Sequence, residues 1–265
     1  MRLENRIAVI TGSGRGIGRS IALAFAREGA KLMLMARTGS QVEAVCAEAE
    51  AIGAEVVARA GDIAKKADVE KLVAETLARF GPPDILVNNA GVSKGRALLV
   101  DSDDDTWREV IDINLLGTYM MTKHFLRIMI PRKSGRIITI ASIAGKSPQP
   151  FNSAYTASKH GIIGMMKTVA AEMGIAGARE ITVNVICPGA VKTEMLEGEG
   201  GLFEFLSSRT GETKEEAARR VREMSVQARM LDPGEIAGLA VFLASHEGRG
   251  ITGQAFTIDG GQIMY

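Results

Sequence analysis

The feature that most constrains the fold is a regular alternation between two apolar patterns along the chain. Short runs rich in β-branched residues, typical of buried strands, are followed by longer segments in which apolar residues recur with helical spacing. Because neighbouring parallel strands need a crossover connection, usually a helix, this alternation predicts an α/β fold with a doubly wound, mostly parallel sheet. The predicted strands lie near residues 6–11, 31–36, 54–60, 84–88, 135–141, 180–186 and 254–258.

Helices are predicted in the segments between these strands. Residues 17–26 have helical spacing, and the pattern stops at Gly29, as helices commonly do at a glycine. Later helices are predicted near residues 40–52, 66–80, 104–131, 153–177 and 233–245. The 265 residues contain no repeat, low-complexity tract or linker, so residues 1–265 are predicted to form a single domain of about seven strands flanked by helices.

The charges and the cysteines argue against several classes of protein. Lys and Arg total 32 against 31 Asp and Glu, and the net charge of +1 gives no general attraction to nucleic acid or to an anionic membrane. The apolar run at residues 7–10 is too short for a membrane span. Cys46 and Cys187 lie far apart and outside any Cys/His cluster, so neither zinc nor a disulfide framework is indicated, and a reducing, cytoplasmic setting is predicted.

A glycine-rich turn, residues 11–18 (Thr-Gly-Ser-Gly-Arg-Gly-Ile-Gly), follows the first predicted strand and opens the first predicted helix. The free N–H groups and the dipole at a helix N-terminus favour a pyrophosphate, and glycines let the main chain approach it closely. No Gly-Lys-Ser/Thr follows, which argues against a P-loop. A tight strand-to-helix connection would also use glycines, but the place of this glycine turn in the first strand–helix unit favours a dinucleotide.

A second group of residues, Ser142, Tyr155 and Lys159, indicates acid/base chemistry. Tyr155 and Lys159 are four residues apart and share one face of a predicted helix. A neighbouring ammonium stabilises a phenolate and lowers the pKa of the phenol, so Tyr155 would exchange a proton with an alcohol or carbonyl oxygen that Ser142 hydrogen-bonds. Taken alone, a Tyr-xxx-Lys pair is more often a partly buried aromatic beside a solvated charge.

The two groups occur in one chain, which resembles the short-chain dehydrogenases/reductases over nearly its whole length. The glycine turn resembles the cofactor motif of that family, Asn88-Asn89-Ala90-Gly91 its fourth-strand motif, and residues 188–193 the segment that closes over the nicotinamide carboxamide. The resemblance implies a Rossmann-like NAD(P)-dependent oxidoreductase that needs no metal. Its expected catalytic residues are Asn114, Ser142, Tyr155 and Lys159.

The resemblance also assigns a role to each residue. Tyr155 transfers the proton, Ser142 orients the reacting oxygen, Lys159 binds the nicotinamide ribose and lowers the pKa of Tyr155, and Asn114 holds a water in the proton relay. Asp62 and Ile63 match positions that contact adenine. The residues expected to bind the cofactor are Gly12, Arg15, Gly16, Ile17, Gly18, Arg37, Asp62, Ile63, Asn89, Ala90, Gly91, Tyr155, Lys159, Pro188, Gly189, Val191 and Thr193.

The end of the second predicted strand bears on the choice between NAD and NADP. Relatives that prefer NAD usually place an acidic residue there for the ribose diol, and residues 36–38 contain none. Arg37, together with Arg15 in the glycine turn, offers two guanidinium groups suited to a 2′-phosphate, which favours NADP. NAD remains the alternative, with Arg37 stacked on adenine and Arg15 facing solvent.

Residues 196–225, here called the lid segment, depart from the alternation. Gly198, Gly200 and Gly201 would give hinge freedom, and an apolar run follows at Leu202, Phe203, Phe205 and Leu206. These features predict a lid over the substrate, with a surface helical hairpin as the alternative. The basic residues Arg219, Arg220 and Arg222 are interpreted as a contact for an anionic carrier such as coenzyme A or acyl-carrier protein; a solvated helix face with internal ion pairs would look the same.

The substrate is open between several classes. Residues 155–161 and the closing stretch 260–265 are similar to 3-oxoacyl and polyketide ketoreductases, and also to hydroxyacid and hydroxyacyl-thioester dehydrogenases. A 3-oxoacyl-thioester reductase is therefore one reading, and an NAD-dependent hydroxyacid or cyclic alcohol dehydrogenase is another. The family also implies a homo-oligomer, a tetramer, with Met120, Met121, Met165 and Met166 on dimer faces or, alternatively, in the core.

Two rival functions are weighed against this reading. A dinucleotide-sensing regulatory protein would be expected to carry a broken catalytic set, whereas all four catalytic residues are present. A sugar-nucleotide epimerase or dehydratase is expected to have a longer chain and a different glycine spacing.

Overall fold

The architecture is a seven-stranded sheet in which every neighbouring pair of strands is parallel. A computed structural model describes residues 1–264, and Tyr265, the last residue of the closing stretch, lies outside the described residues. All seven predicted strands are found within two residues of their predicted bounds, and the predicted fold class is confirmed. The strands are β1 (Ile7–Thr11), β2 (Lys31–Ala36), β3 (Val56–Ala60), β4 (Ile85–Asn88), β5 (Ser134–Ile140), β6 (Glu180–Pro188) and β7 (Ala255–Ile258).

The order of the strands places a crevice at the middle of the sheet. Strands run β3-β2-β1-β4-β5-β6-β7, so the direction in which the chain adds strands reverses between β1 and β4. In open parallel sheets, ligands bind outside the carboxyl ends of the strands at such a reversal. The register sets Val9 of β1 opposite Leu86 of β4, and both are fully buried.

Ten helices cover the described part of the chain, and they pack on both faces of the sheet. One apolar core includes Ile21 of α1, Val42 of α2 and Ile236 of α10, and the core on the other face includes Leu72 of α3 and Phe125 of α5. The helices are α1 (Gly16–Arg27), α2 (Gly39–Ala51), α3 (Lys66–Arg79), α4 (Asp104–Ile111), α5 (Thr118–Arg132), α6 (Ser153–Ile175), α7 (Glu194–Glu197), α8 (Leu202–Thr210), α9 (Lys214–Glu223) and α10 (Pro233–Ala244).

The prediction of one continuous α-helix over residues 104–131 is wrong, because the helix is interrupted. A π-helical segment, Asp112–Gly117, separates α4 from α5. A Cβ on Gly117 would lie 2.8 Å from the side chain of Ile63, so glycine allows the helix to approach the loop after β3 closely. Apolar spacing does not distinguish this widened turn from an α-helix. Wide turns of this kind are frequent at functional sites, and Asn114 lies inside this one.

The four methionines expected at dimer faces differ in how deeply they are buried. Met121 and Met166 are fully buried in the core beneath α5 and α6, so core packing, the alternative reading, holds for these two. Met120 and Met165 are partly buried and pack against the same core. No helix within residues 1–264 combines the length and the apolar character needed to cross a membrane.

Candidate active site

A cleft of about 760 Å³ lies at the carboxyl ends of the strands. Its walls come from the loops after β1 to β6 and from helices α7 to α9. All the residues expected to bind the cofactor line it except Gly18, and Ser142 lines it as well. Asn114 lies behind the wall. Within residues 1–264, no group of three or more His, Cys, Asp and Glu side chains is placed to hold a metal ion.

The glycine turn is fixed to the end of β4 by Thr11 and Asn89. The Thr11 hydroxyl accepts hydrogen bonds from the backbone N–H groups of Asn89 (3.1 Å) and Ala90 (3.2 Å), and the Asn89 amide donates to the carbonyl oxygens of Thr11 (3.0 Å) and Gly12 (2.9 Å). A Cβ on Gly12 would lie 2.7 Å from the Cα of Ala90, and one on Gly18 would lie 2.2 Å from the Gly12 oxygen. Glycine is therefore required at both positions, which leaves an open cradle at the start of α1.

The two arginines expected at the 2′-phosphate have different surroundings. Arg37 is exposed at the end of β2, lines the cleft, and has no hydrogen-bond or ion-pair partner among residues 1–264. The guanidinium of Arg15 forms an ion pair with Glu194, the first residue of α7. Arg37 therefore offers a free positive charge, whereas Arg15 joins the glycine turn to the edge of the lid. These residues and the glycine cradle fit a nicotinamide dinucleotide.

Tyr155, Lys159 and Ser142 meet in the cleft below the end of β5. Tyr155 and Lys159 share one face of α6, and the Lys159 ammonium lies 5.5 Å from the centre of the tyrosine ring. That ammonium is 4% exposed and donates to the carbonyl of Ile140 at 3.0 Å. Ser142 precedes the 3₁₀ turn Ile143–Gly145, and its hydroxyl accepts from the N–H of Ala144 at 3.1 Å. Three of the four side chains that the sequence predicted as catalytic are thus brought together in the cleft.

Burial dominates the pKa values of the two titratable groups. Burial lowers the pKa of Lys159 to about 8. Burial also raises the pKa of Tyr155, and a hydrogen bond with Ser142 and the positive charge of Arg96 oppose this rise. The net shift in the pKa of Tyr155 is upward, and the groups that oppose it are Ser142 and Arg96; the expectation that Lys159 lowers this pKa stays a prediction. Desolvation destabilises both the phenolate and the ammonium.

Asn114 is fully buried, and the hydrogen atoms of its side-chain amide are both used. Its amide nitrogen donates to the carbonyl of Val92 (2.9 Å) and to the hydroxyl of Ser158 (3.1 Å), and its amide oxygen accepts from the N–H of Val92 (2.8 Å). Asn114 therefore ties the loop after β4 to helix α6, next to the catalytic pair. Its role in holding a relay water stays a prediction.

Sequence reasoning missed two cleft residues, Arg96 and Phe151. Both lie on loops at the carboxyl edge of the sheet, after β4 and after β5. Neither belongs to a motif. The available signal was their position, because loops after parallel strands converge on the ligand crevice.

The lid segment covers one end of the cleft. Leu202, Phe205 and Leu206 line the cleft as predicted, whereas Phe203 packs into a separate small cluster with Ala217, Val221 and Met230. Of the three proposed hinge glycines, Gly200 alone has a positive φ (65°). Among the basic residues, Arg220 lines the cleft and pairs with Glu212 at 3.0 Å.

Comparisons with known proteins agree with this site. The family model described as short chain dehydrogenase matches residues 6–200. The chain is 37% identical to the 3-oxoacyl-[acyl-carrier-protein] reductase of Synechocystis sp., over 99% of both chains. A crystal structure of a variant of actinorhodin polyketide ketoreductase with NADPH is 34% identical, with a TM-score of 0.92 and 98% of both chains covered. Levodione reductase is 32% identical, with a TM-score of 0.91 and the same coverage.

Proposed function

The chain belongs to the short-chain dehydrogenase family, and we propose that within it this protein is an NADPH-dependent reductase of 3-oxoacyl thioesters. Its reaction class is that of an NAD(P)-dependent oxidoreductase acting on carbonyl and CH–OH groups. The observation that carries the proposal is the placement of Tyr155 and Ser142 beside Lys159 in a cleft that also contains the glycine turn. Their joint presence disfavours a regulatory protein that binds a dinucleotide without catalysis.

The proposed mechanism assigns one task to each side chain. The glycine turn and the residues around it would hold a nicotinamide dinucleotide, which would supply the hydride in reduction or accept it in oxidation. In reduction the Tyr155 hydroxyl donates its proton to the carbonyl oxygen and becomes a phenolate; in oxidation the phenolate accepts the proton of the alcohol, while Ser142 hydrogen-bonds the reacting oxygen in both directions. Lys159 supplies positive charge next to Tyr155 and would bind the nicotinamide ribose. Asn114 positions the loop after β4 against α6.

NADPH is proposed over NADH because of Arg37. The residue stands at the end of β2, where the adenine ribose of a dinucleotide lies in this fold, and no carboxylate neutralises it among residues 1–264. A guanidinium is suited to bidentate recognition of a phosphate. The neighbouring structure of actinorhodin polyketide ketoreductase was determined with NADPH, which agrees with this choice.

An acyl thioester is proposed as the substrate from the similarity to 3-oxoacyl-[acyl-carrier-protein] reductases. The lid segment would close over this substrate, since Leu202, Phe205 and Leu206 present apolar surface to the cleft. Arg219 and Arg222, on the outer part of α9, are the proposed contact for an anionic carrier. A homotetramer and a cytoplasmic location complete the proposal, the latter on the ground that Cys46 and Cys187 are both free thiols.

A spectrophotometric substrate panel tests the proposal. Oxidation of NADPH and of NADH would be followed with a 3-oxoacyl thioester, a β-keto ester, a cyclic ketone and a diketone. The proposal expects the highest kcat/KM for the thioester with NADPH. Faster turnover of a hydroxyacid or a cyclic alcohol with NAD⁺ would support the dehydrogenase reading instead, and no turnover of any carbonyl or alcohol would reject the reaction class.

A further inference from the structure

Arg96 is a positive charge in the substrate end of the cleft without an acidic partner. It lies on the loop after β4, lines the cleft with Tyr155 and Phe205, and is partly buried. No carboxylate among residues 1–264 lies within ion-pair distance of it. Its neighbour Lys94, by contrast, is exposed and paired with Glu109. A guanidinium that is desolvated and unpaired is costly, and burial lowers the pKa of this one.

The groups that accept hydrogen bonds from Arg96 are neutral, and they use only part of its N–H groups. Arg96 donates to the Ser93 hydroxyl at 3.1 Å and, at a long 3.4 Å, to the carbonyl of Gly200. The amide of Asn152 donates to the same Ser93 oxygen at 3.0 Å. The Ser93 oxygen accepts both bonds, and the neighbouring amide oxygen of Asn152 is a buried acceptor without a hydrogen-bond partner. The remaining N–H groups of Arg96 have no acceptor among the described residues, and Arg96 and Ser93 together form one corner of the cleft.

An apolar wall faces this corner, and its geometry is held by the backbone. The N–H of Ala97 donates to the carbonyl of Phe151 at 3.0 Å, which joins the Arg96 loop to the loop after β5. Phe151 has a φ of 65°, a left-handed conformation that is unfavourable for a bulky residue and that clusters at functional sites. Its ring lies 5.7 Å from that of Phe205 and 4.8 Å from the guanidinium of Arg209. An aromatic surface made by Phe151 and by Phe205 of the lid segment therefore lines the same cleft as Arg96.

Arg96 lines the same cleft as Tyr155 and Ser142. Its charge lowers the pKa of Tyr155, in opposition to burial. An anion bound to Arg96 would therefore belong to the same molecule whose carbonyl meets Tyr155.

We propose that Arg96 binds a carboxylate of the substrate, so that the natural substrate is a carbonyl or hydroxy compound carrying both an acidic group and an apolar group. This inference rests on the proposed function, and it narrows the substrate class of that site. The carboxylate would accept bidentate hydrogen bonds from the guanidinium, the geometry that Arg favours, while the apolar group packs on Phe151 and Phe205. The free carboxylate of a dicarboxylic acyl thioester would supply this chemistry within the proposed function, and a free oxo acid would supply it in the alternative reading of a hydroxyacid dehydrogenase.

Matched pairs of substrates, each an acid and its methyl ester, test whether the cleft binds a carboxylate. One pair is 4-oxo-4-phenylbutanoate and its methyl ester; the other is the N-acetylcysteamine thioester of 3-oxohexanedioate with a free carboxylate and the same thioester methylated there. The ratio of kcat/KM for acid over ester, measured with NADPH, isolates the carboxylate contact. We expect this ratio to exceed about ten in at least one pair, and the pair that shows it identifies the source of the carboxylate.

Three variants test whether Arg96 causes this preference. Arg96→Ala should lower the acid-over-ester ratio about 10- to 100-fold, because a charge-assisted pair is lost. Arg96→Lys should retain part of the ratio, since it keeps the charge without the planar fork. Lys94→Ala removes a cation from the same loop but outside the cleft, and it should leave the ratio unchanged. A general effect on Tyr155 would lower both rates together and leave the ratio intact.

A binding measurement keeps the test decisive when turnover is slow. Isothermal titration of 4-phenylbutanoate and 4-phenylbutanamide into the enzyme with NADP⁺ should show tighter binding of the acid, and Arg96→Ala should remove the difference. Equal binding of acid and amide to the unsubstituted enzyme, or an unchanged difference in Arg96→Ala, would overturn the subsite. Reduction of the neutral esters without any preference for acids would also overturn it while leaving the proposed function standing.

Discussion

Burial of the Lys159 ammonium lowers the stability of the folded protein. This ammonium is almost fully buried, has no carboxylate partner among residues 1–264, and is held by the carbonyl of Ile140. Burial lowers its pKa from 10.5 to about 8. The unfolded state therefore binds this proton more tightly than the folded state, and folding carries a cost below pH 8 of about 3 kcal/mol.

This linkage predicts how stability changes with pH in the enzyme without cofactor. Because the folded pKa is the lower one, the contribution of Lys159 to the free energy of unfolding rises as the pH increases from about 8 to 10.5. Denaturant unfolding of the unsubstituted protein and of Lys159→Met at pH 7 and pH 10 should show the unsubstituted protein gaining about 2–3 kcal/mol relative to the variant. An equal difference at both pH values would contradict the assigned pKa.

Arg37 and Arg15 allow a matched test of cofactor choice. Arg37→Asp should raise the KM for NADPH about 10- to 100-fold and improve the relative use of NADH, because a charge-assisted contact of about 1.5–3 kcal/mol is replaced by repulsion. Arg15→Ala should have a smaller effect, since that guanidinium is paired with Glu194. Steady-state kinetics with both cofactors measure this. If the unsubstituted enzyme preferred NADH, the role assigned to Arg37 in binding the 2′-phosphate would be wrong.

The residues that could be predicted from the sequence were those in motifs with a physical reason for their spacing. Tyr155 and Lys159 follow from one turn of helix, and the glycine turn from its place after β1. Spacing alone does not suffice: Tyr119 and Lys123 have the same four-residue separation on the exposed side of α5. Arg96 and the pKa of Tyr155 could not be predicted, because both depend on burial by residues distant in sequence.

At the scale of secondary structure, the elements with strong apolar periodicity were predicted closely, and the irregular ones were not. The strands and helix α6 agree with the sequence to within two residues. The π-helical segment Asp112–Gly117 was missed, because its wide turn arises from packing of Gly117 on Ile63. Three apolar residues of the lid segment, Leu202, Phe205 and Leu206, line the cleft, whereas Phe203 belongs to a separate small cluster; the role of this segment as a lid stays a prediction.

The lid segment is expected to have low local stability. Its buried cluster consists of four residues, Phe203, Ala217, Val221 and Met230, and Arg15–Glu194 is an exposed ion pair at its edge. Hydrogen exchange across residues 196–225 should slow when NADP⁺ and substrate bind, while exchange in the buried helix α10 stays the same. If hydrogen exchange across the lid segment did not change on ligand binding, the lid would be contradicted and the alternative, a surface helical hairpin, would be supported.

At the scale of the whole molecule, the position of the crevice follows from topology. Strand order reverses between β1 and β4, so the loops after both strands converge, and the hydrogen bonds between Thr11 and Asn89 join them. Apolar side chains also remain exposed in one chain, among them Leu99 (69%) and Val100 (87%). Surfaces of this kind are suited to contact between subunits.

The proposed homotetramer has a direct physical measurement. Sedimentation velocity at micromolar concentration should give a particle of about four times the 28.2 kDa of one chain. A species that stays at the mass of one chain across the concentration range would contradict the assembly, without affecting the account of the active site.

The central claim is that Tyr155 transfers the proton in a hydride-transfer reaction, and Tyr155→Phe tests it most directly. The variant removes the hydroxyl and keeps the ring, so kcat for carbonyl reduction should fall about 10²- to 10⁴-fold. The Kd for NADPH, measured by fluorescence titration, should stay within about threefold, because the cradle at the glycine turn is untouched. Tyr119→Phe, the exposed Tyr-xxx-Lys pair, should leave kcat unchanged. A Tyr155→Phe enzyme that retains more than about half of the unsubstituted kcat would contradict the claim.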